Sequence, residues 1–489
     1  MAAPFGPSEA GLSQFRLPPT PYCGFVRTGE KQELTLARSE AHVLVSALTE
    51  SGKTRRLLAP AAVLWTAGPA LIVSSKDDLL KLVMSRRYGP SGLIDLRPDY
   101  EADYPGIQML SFDPTALIST PDQAVTAANT MMAMSAVGLG GADRTTDSGI
   151  WESNSEAPLA AMLYAASPKG NGKGMDWVLL AVDNMTQPEA GEALSSDPGW
   201  ARAAAIVSDK PLFCNALMRT LDMDPKQRDS VALTMRKAVM PWMRLSLRGI
   251  KNPALTDAFF EDPNATLYVL ASPEGSIAGA AVTLLEHLIK VWRGKTSRNE
   301  MTHRLLIVID EATNVAPMPA LLRHVGEGRG LGVNIMLAVQ GSSQFEVVYG
   351  GPYMRALRDI MPSAVIMFGA AEMEMLRRAE EWTLETTRRQ ETFDQATGAK
   401  TLSSHLGSTI DYRRLLPTNG EHARVLLRGT AGVQTEIPDW LRFRDRYDDA
   451  IRRLLNADEA ERKAAPPLWQ RLAERHRIAL AAANGRPRP

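Results

Sequence analysis

The stretch SALTESGKT, residues 46–54, brings a glycine, a lysine and a threonine together behind a short apolar run. It is close to GxxxxGK(S/T), a loop whose consecutive backbone N–H groups and following helix N-terminus cradle a chain of phosphates. In such a loop Lys53 reaches the β- and γ-phosphate oxygens of ATP, and Thr54 offers its hydroxyl to Mg2+. Ala47, Leu48, Thr49, Glu50, Ser51 and Gly52 form the rest of the cradle, with Gly52 supplying the backbone freedom the turn needs. Two residues depart from the pattern. Ala47 stands where a glycine is usual, which a negative φ tolerates, and Glu50 sets a carboxylate in the loop. Within about 6 Å of a triphosphate that carboxylate opposes binding by roughly 1–4 kcal/mol; turned to solvent, it is mostly screened.

Far along the chain RLLIVIDEA, residues 304–312, ends an apolar run in two acids. Asp310 is the candidate to hold Mg2+ through water, and Glu311 to orient and deprotonate an attacking water. VNIMLAVQ places Gln340 at the end of a further apolar run, where an amide can report on the γ-phosphate. Arg329, between two glycines on the turn before that run, is set to project outward and stabilise charge on a neighbour's transferring phosphate. Gln344 and Tyr349 read as supporting or packing residues.

These residues need a scaffold that holds them at one edge. HVLVSAL (42–48) reads as a buried strand entering the loop, and the apolar stretch behind it as a helix. ALIVSS (70–75), IQMLSFDP (107–114), ATLYVLAS (265–272), RLLIVIDEA, VNIMLAV (333–339), AVIMFGA (364–370) and HARVLLRGT (422–430) are further strands. Apolar runs without alternation, separated by helical segments, predict an α/β fold with a mainly parallel central sheet covered on both faces. Residues 116–255 are Ala/Met-rich and amphipathic, without a strand signal, and read as an all-alpha insertion. The expected organisation is therefore a flexible leader at 1–35, the nucleotide-binding domain at 36–115 and 256–445, the insertion at 116–255, and a helical basic tail at 446–489. The polar stretch 383–410 reads as a loop.

The 489 residues carry 55 Lys+Arg and 55 Asp+Glu, so net charge points neither toward nor away from a nucleic-acid partner. Cys23 and Cys214 are too few and too far apart for a disulfide scaffold or a structural zinc site, which fits a reducing cytoplasm. The N-terminus lacks the basic and apolar regions of a signal peptide. The longest uncharged stretch, residues 57–75, contains Pro60, Gly68 and Pro69 and reads as helix, turn and strand rather than a membrane span. MRLSLRGIK, with Arg244, Arg248 and Lys251, and the arginine-rich tail from Arg462 are the candidate basic surfaces for DNA.

Taken in order, SALTESGKT, ALIVSSKDDLL, LSFDPT, LLIVIDEATNVAPMPAL, GRGLGVNIMLAVQGSSQFEVVYG and SAVIMFGAAEMEML resemble type IV secretion coupling proteins, the conjugative DNA-transfer ATPases of the VirD/TraG class. The resemblance spans about residues 40–430. It implies a RecA-like P-loop NTPase domain, an inserted all-alpha domain that meets relaxosome or secreted substrates, and a homo-hexameric ring around DNA, expected to be single-stranded and held without sequence specificity. It carries the family's motif roles onto Lys53, Thr54, Asp310, Glu311, Arg329 and Gln340, with ATP and Mg2+ as cofactors. SGIWESNSEAPLAAMLYAA matches the tryptophan segment of the inserted domain, with Trp151 and Asn154 as core or contact residues. Type IV secretion ATPases or a membrane partner, and a relaxase or protein cargo, are the implied partners. Family members usually carry an N-terminal membrane anchor, and none is legible here, so the expectation is either a cytoplasmic form recruited peripherally to the cytoplasmic face of the membrane by a partner, or an anchor that lies outside this chain. Two other readings stay open: an FtsK/HerA-like translocase on duplex DNA, and a docking module that binds nucleotide without hydrolysing it.

Overall fold

The computed structural model describes residues 20–28, 33–97, 104–135, 146–187, 193–247, 252–272, 275–370, 372–383, 385–393 and 400–464. The strands are β1 (Phe25–Thr28), β2 (Glu33–Leu36), β3 (His42–Ser46), β4 (Ala70–Ser74), β5 (Ser91–Asp95), β6 (Gln108–Met109), β7 (Thr266–Leu270), β8 (Leu305–Ile309), β9 (Val333–Val339), β10 (Ser363–Met367), β11 (Glu385–Phe393), β12 (Lys400–Ser408), β13 (His422–Leu427) and β14 (Val433–Glu436). Twelve of them form one sheet in the order β2-β1-β14-β13-β10-β3-β9-β8-β4-β7-β5-β6. From β10 to β6 every neighbouring pair is parallel, while β13, β14, β1 and β2 extend the sheet antiparallel. The central strands β3, β4, β7, β8, β9 and β10 are buried at every position, as their unbroken apolar runs require in a sheet covered on both faces.

The stretch 57–75 folds as a helix, a turn and a strand: Ala59–Leu64, the bend at Gly68 and Pro69, then β4. Arg87 staples this corner. Its buried guanidinium donates to the carbonyls of Ala62, Trp65 and Gly68 and to the Thr266 hydroxyl. Between β6 and β7 the described chain is helical, with helices Pro121–Ser135, Thr146–Ala166, Gly174–Asp183, Trp200–Ile206, Pro211–Leu221 and Pro225–Leu247. Residues 159–166 are buried on all sides, which makes Thr146–Ala166 the central helix of this layer. Trp151 is half-buried and packs against the core, and Asn154 is half-buried beside it.

Several expectations are corrected. The segment 383–410, read as a loop, forms the antiparallel hairpin β11–β12; its strands alternate polar residues and pair only with each other, so no buried face marks them in sequence. Residues 25–28, placed in the flexible leader, are a sheet strand paired with both β2 and β14. The third strand expected at 107–114 is only Gln108–Met109, followed by an isolated bridge from Ser111 to Ala254. β5 and β14 were not anticipated. The helix Trp440–Ala464 starts ahead of the boundary expected at 445/446, and the chain divides into two compact units between residues 439 and 440. Within that helix Phe443 stacks on Trp440 and Tyr447. Arg248, Lys251 and the tail beyond 464 lie outside the described residues, as does the Arg244 side chain.

Candidate nucleotide site

Ser46 ends β3 level with Val339, and Ile309 ends β8 level with Leu337, so β9 separates the loop strand from the acidic strand. Two inter-strand spacings amount to about 10 Å, and the Lys53 side chain reaches across the end of β9. Its ammonium lies 3.1 Å from Asp310 Oδ1 and 3.8 Å from Glu311 Oε1. The Thr54 hydroxyl donates to Asp310 Oδ2 at 3.4 Å. Lys53, Thr54, Asp310 and Glu311, 256 residues apart at the closest pair, are thus one cluster at the C-terminal edge of the parallel strands, where ligands of open α/β sheets bind.

The loop is built locally. The Ala47 N–H donates to the Val339 carbonyl, which locks the loop entrance to β9. Ala47 is buried and does not take a positive φ, so the missing glycine is accommodated. Both the Ser51 N–H and its hydroxyl return to the Leu48 carbonyl, closing a turn whose tip is exposed Thr49 and Glu50. Glu50 adopts φ +62°, a left-handed conformation suited to glycine, and its side chain faces solvent. Gly52 has φ +83°. Behind it a π-helical turn, Thr54–Leu58, runs into helix Ala59–Leu64. The Arg56 side chain donates to the Ile437 carbonyl, fixing that turn to the far side of the sheet.

Asp310 is buried, and burial pushes its carboxyl above the ordinary aspartate value; Lys53 pulls against that, while Glu311 and Asp78 add to it. Its Oδ1 has no aligned hydrogen-bond donor. A buried carboxylate beside the Thr54 hydroxyl and the Lys53 ammonium offers hard oxygen ligands for Mg2+ and a cation for a phosphate chain. Glu311 takes φ +54°, a strained backbone that turns the chain sharply out of β8 and gives the two acids different directions.

Gln340 follows β9, between Lys53's strand and the acid strand. Its N–H donates to Gln344 Oε1, which also accepts from the Thr313 hydroxyl two residues past Glu311. Tyr349 is a packing residue, stacked between Phe345 and Tyr353. Arg329 lies at the other end of β9, whose seven residues span about 20 Å. It is two-thirds exposed, pairs with Glu40 at 2.6 Å, and its carbonyl accepts from Arg304. His42, buried at the start of β3, holds the same turn by hydrogen bonding to the Gly328 carbonyl. Six of the predicted residues, Lys53, Thr54, Asp310, Glu311, Gln340 and Gly52, therefore share one edge, and Arg329 does not join them within this chain. The residue that sequence reasoning missed is Glu372, whose carboxylate bonds Ser46 and Ser342 at that same edge. No motif marks it.

A parallel sheet in which β9, ending at Gln340, lies between the loop strand β3 and the acid strand β8 is a RecA-like α/β fold. Structures of a bacterial conjugative coupling protein, TrwB, share this fold. The unbound TrwBΔN70 matches with a TM-score of 0.52 at 15% identity, over 84% of this chain and 89% of that one. TrwB with ADP and Mg2+ matches with a TM-score of 0.52 at 15% identity, over 86% and 96%. TrwB with the non-hydrolysable ATP analogue ADPNP gives 0.51 at 15%, over 87% and 96%. Residues 304–419, from β8 to the turn before β13, match the family described as the TraM recognition site of TraD and TraG. The resemblance to type IV secretion coupling proteins is borne out by that family match and by the shared fold. No curated protein matches the chain. Among the described residues no helix is long and apolar enough to cross a membrane.

Proposed function

We propose that this chain is an ATP-driven coupling protein that recruits DNA, with a relaxase or other protein substrate, and passes it to a type IV secretion channel. The observation that carries the reading is the Lys53 ammonium of the loop set against the acid pair Asp310–Glu311, the two acids lying within residues 304–419 that match the family described as the TraM recognition site of TraD and TraG.

In this reading Lys53 binds the β- and γ-phosphates, and the backbone N–H groups of residues 47–54 enclose the chain. Thr54 and Asp310 would hold Mg2+, which would supply positive charge to the phosphate chain. Asp310 must be ionised to do so, and Lys53 favours that form against the penalty of burial. Glu311 takes the proton of the attacking water. Gln340 reports the γ-phosphate from the end of β9. Arg329, far from the site of its own chain, serves a neighbouring subunit's nucleotide in a homo-hexamer. The grip on DNA is on phosphates and without base readout. Action takes place at the cytoplasmic face of the membrane, through a partner.

DNA-stimulated ATP hydrolysis by the wild type and by Lys53→Ala tests this directly. The expected outcome is hydrolysis that rises with DNA and falls by at least about a hundredfold in the variant, since charge stabilisation of transferring phosphate is worth several kcal/mol. Hydrolysis that is absent, or indifferent to the substitution, removes the motor reading and leaves a nucleotide-dependent docking module. Stimulation by duplex over single-stranded DNA favours the duplex translocase instead.

A further inference from the structure

Glu372 is the most deeply buried carboxylate among the described residues, only 1% exposed. It stands at the N-cap, directly before helix Met373–Glu381, but does not cap it with its side chain. The carboxylate turns to the sheet edge instead. Its Oε1 accepts the Ser46 hydroxyl at 2.8 Å and the Ser342 N–H at 2.5 Å, and its Oε2 accepts the Ser342 hydroxyl at 2.7 Å. Arg358 Nε donates to the Ser342 oxygen at 2.7 Å, and an Arg358 Nη lies 3.9 Å from Glu372 Oε2 while another pairs with Glu374. Three donors and a nearby guanidinium call for acceptors on both oxygens, which a carboxylate supplies.

What the carboxylate joins is informative. Ser46 is the last residue of β3, directly before Ala47 and the phosphate loop. Ser342 lies two residues past Gln340, in the turn whose other side is tied through Gln344 to Thr313 and the acid strand. The glutamine turn is therefore pinned from both flanks, by Glu372 toward the phosphate loop and by Gln344 toward the acids. A buried ionic network adds little net stability compared with apolar packing but strongly restricts geometry. A displacement of about 1 Å at a reacting site is enough to lower a rate a hundredfold.

We propose that Glu372 is a positioning residue: through Ser342 and Ser46 it sets Gln340 against the phosphate loop, so that the site distinguishes a nucleoside triphosphate from a diphosphate. The inference rests on the nucleotide reading of the site and adds to it a residue to which the sequence reading gave no role.

The test uses Glu372→Gln and Ser342→Ala in the full chain. In Glu372→Gln the amide NH2 confronts a Ser342 hydroxyl that already accepts from Arg358, so the turn loses a charge-assisted bond while the volume stays the same. Affinities for ADP and for a non-hydrolysable ATP analogue are measured with Mg2+ by fluorescence titration, alongside kcat and KM. ADP affinity should stay within about threefold of wild type, and the preference for the analogue should fall about tenfold. The kcat should drop about tenfold or more with KM little changed. Glu372→Gln combined with Gln340→Ala should be no slower than Gln340→Ala alone, because both act through one group. Equal losses for both nucleotides, or multiplying losses in the double variant, overturn the proposal and make Glu372 a structural residue. If Glu372→Gln does not fold, an unchanged nucleotide preference in Ser342→Ala overturns it equally. A wild type that binds both nucleotides without hydrolysis removes the motor reading alone, since the affinity ratio still decides the role of Glu372. A wild type that binds neither overturns both.

Discussion

On the proposed nucleotide reading, Glu50 is expected to weaken the site without erasing it. Its φ of +62° places a non-glycine residue in a conformation that costs about 1 kcal/mol or more, and its carboxylate faces solvent at the loop tip. Glu50→Gly is expected to raise stability by about 1 kcal/mol and tighten nucleotide binding a few-fold, with the affinity gain shrinking in high salt as screening grows. Titration at two ionic strengths, with denaturant unfolding, checks both parts. His42 carries a pH dependence of opposite character. Its Nδ1 accepts the Ile335 N–H, so the ring bonds Gly328 as the neutral form. Burial pushes it down to about 4 from the ordinary 6.5, the Gly328 carbonyl opposing and Arg304 and His324 reinforcing. Between those values the unfolded chain binds a proton that folded His42 refuses. Stability from this group is therefore complete above pH 6.5 and lost as pH falls toward 4, by up to about 3 kcal/mol. Urea unfolding at pH 7 and pH 4.5 should show this loss, and His42→Gln should flatten the difference.

At the scale of elements, two glycines share a positive φ and differ in surroundings. Gly68, φ +151°, makes the corner between helix Ala59–Leu64 and β4, where an added Cβ would stand 2.2 Å from the Arg304 carbonyl oxygen and 2.9 Å from the His303 Cβ. Gly106, φ +83°, opens onto free space. Gly68→Ala forces backbone apart in the centre of the sheet and should cost more than about 3 kcal/mol, whereas Gly106→Ala should cost about 1 kcal/mol from conformation alone. Denaturation midpoints of the two variants test the contrast. The same element logic explains the site. β9 must lie between β3 and β8 for Gln340 to emerge between lysine and acids, and its length carries Arg329 to the opposite edge.

At the scale of the whole molecule, that separation makes an assembly prediction. Arg329 cannot reach Lys53 of its own chain across about 20 Å of strand, so its proposed role requires another subunit. Mixing Arg329→Ala with Lys53→Ala chains should restore part of the hydrolysis each lacks, because an intact loop meets an intact arginine at some interfaces. A mixture whose rate is only the sum of the two separate rates removes the trans role. Glu40, paired with Arg329 in the single chain, is the contact such an assembly would have to exchange.

Much of this architecture was legible in residue order. The central strands announced themselves because each is buried on both faces and so is apolar without interruption, and the charged residues that interrupt those runs, Lys53, Asp310 and Glu311, were visible against them. The helical layer between β6 and β7 was legible for the same reason, through its amphipathic period. The edges were not. β2, β1 and β14, which form the antiparallel flank of the sheet, and the β11–β12 hairpin carry mixed or polar residues, so no unbroken apolar run marks them. Glu372 was hidden most completely: nothing local separates it from Glu374 two residues on, and only the packing of β3, β9 and β10 side by side brings Ser46, Ser342 and Arg358 around it. The sequence by itself determined which side chains can do phosphate chemistry, because that depends on residue type and local spacing. Only the tertiary structure decided which of them meet, because contact across hundreds of residues follows from strand order and register, which no local pattern encodes.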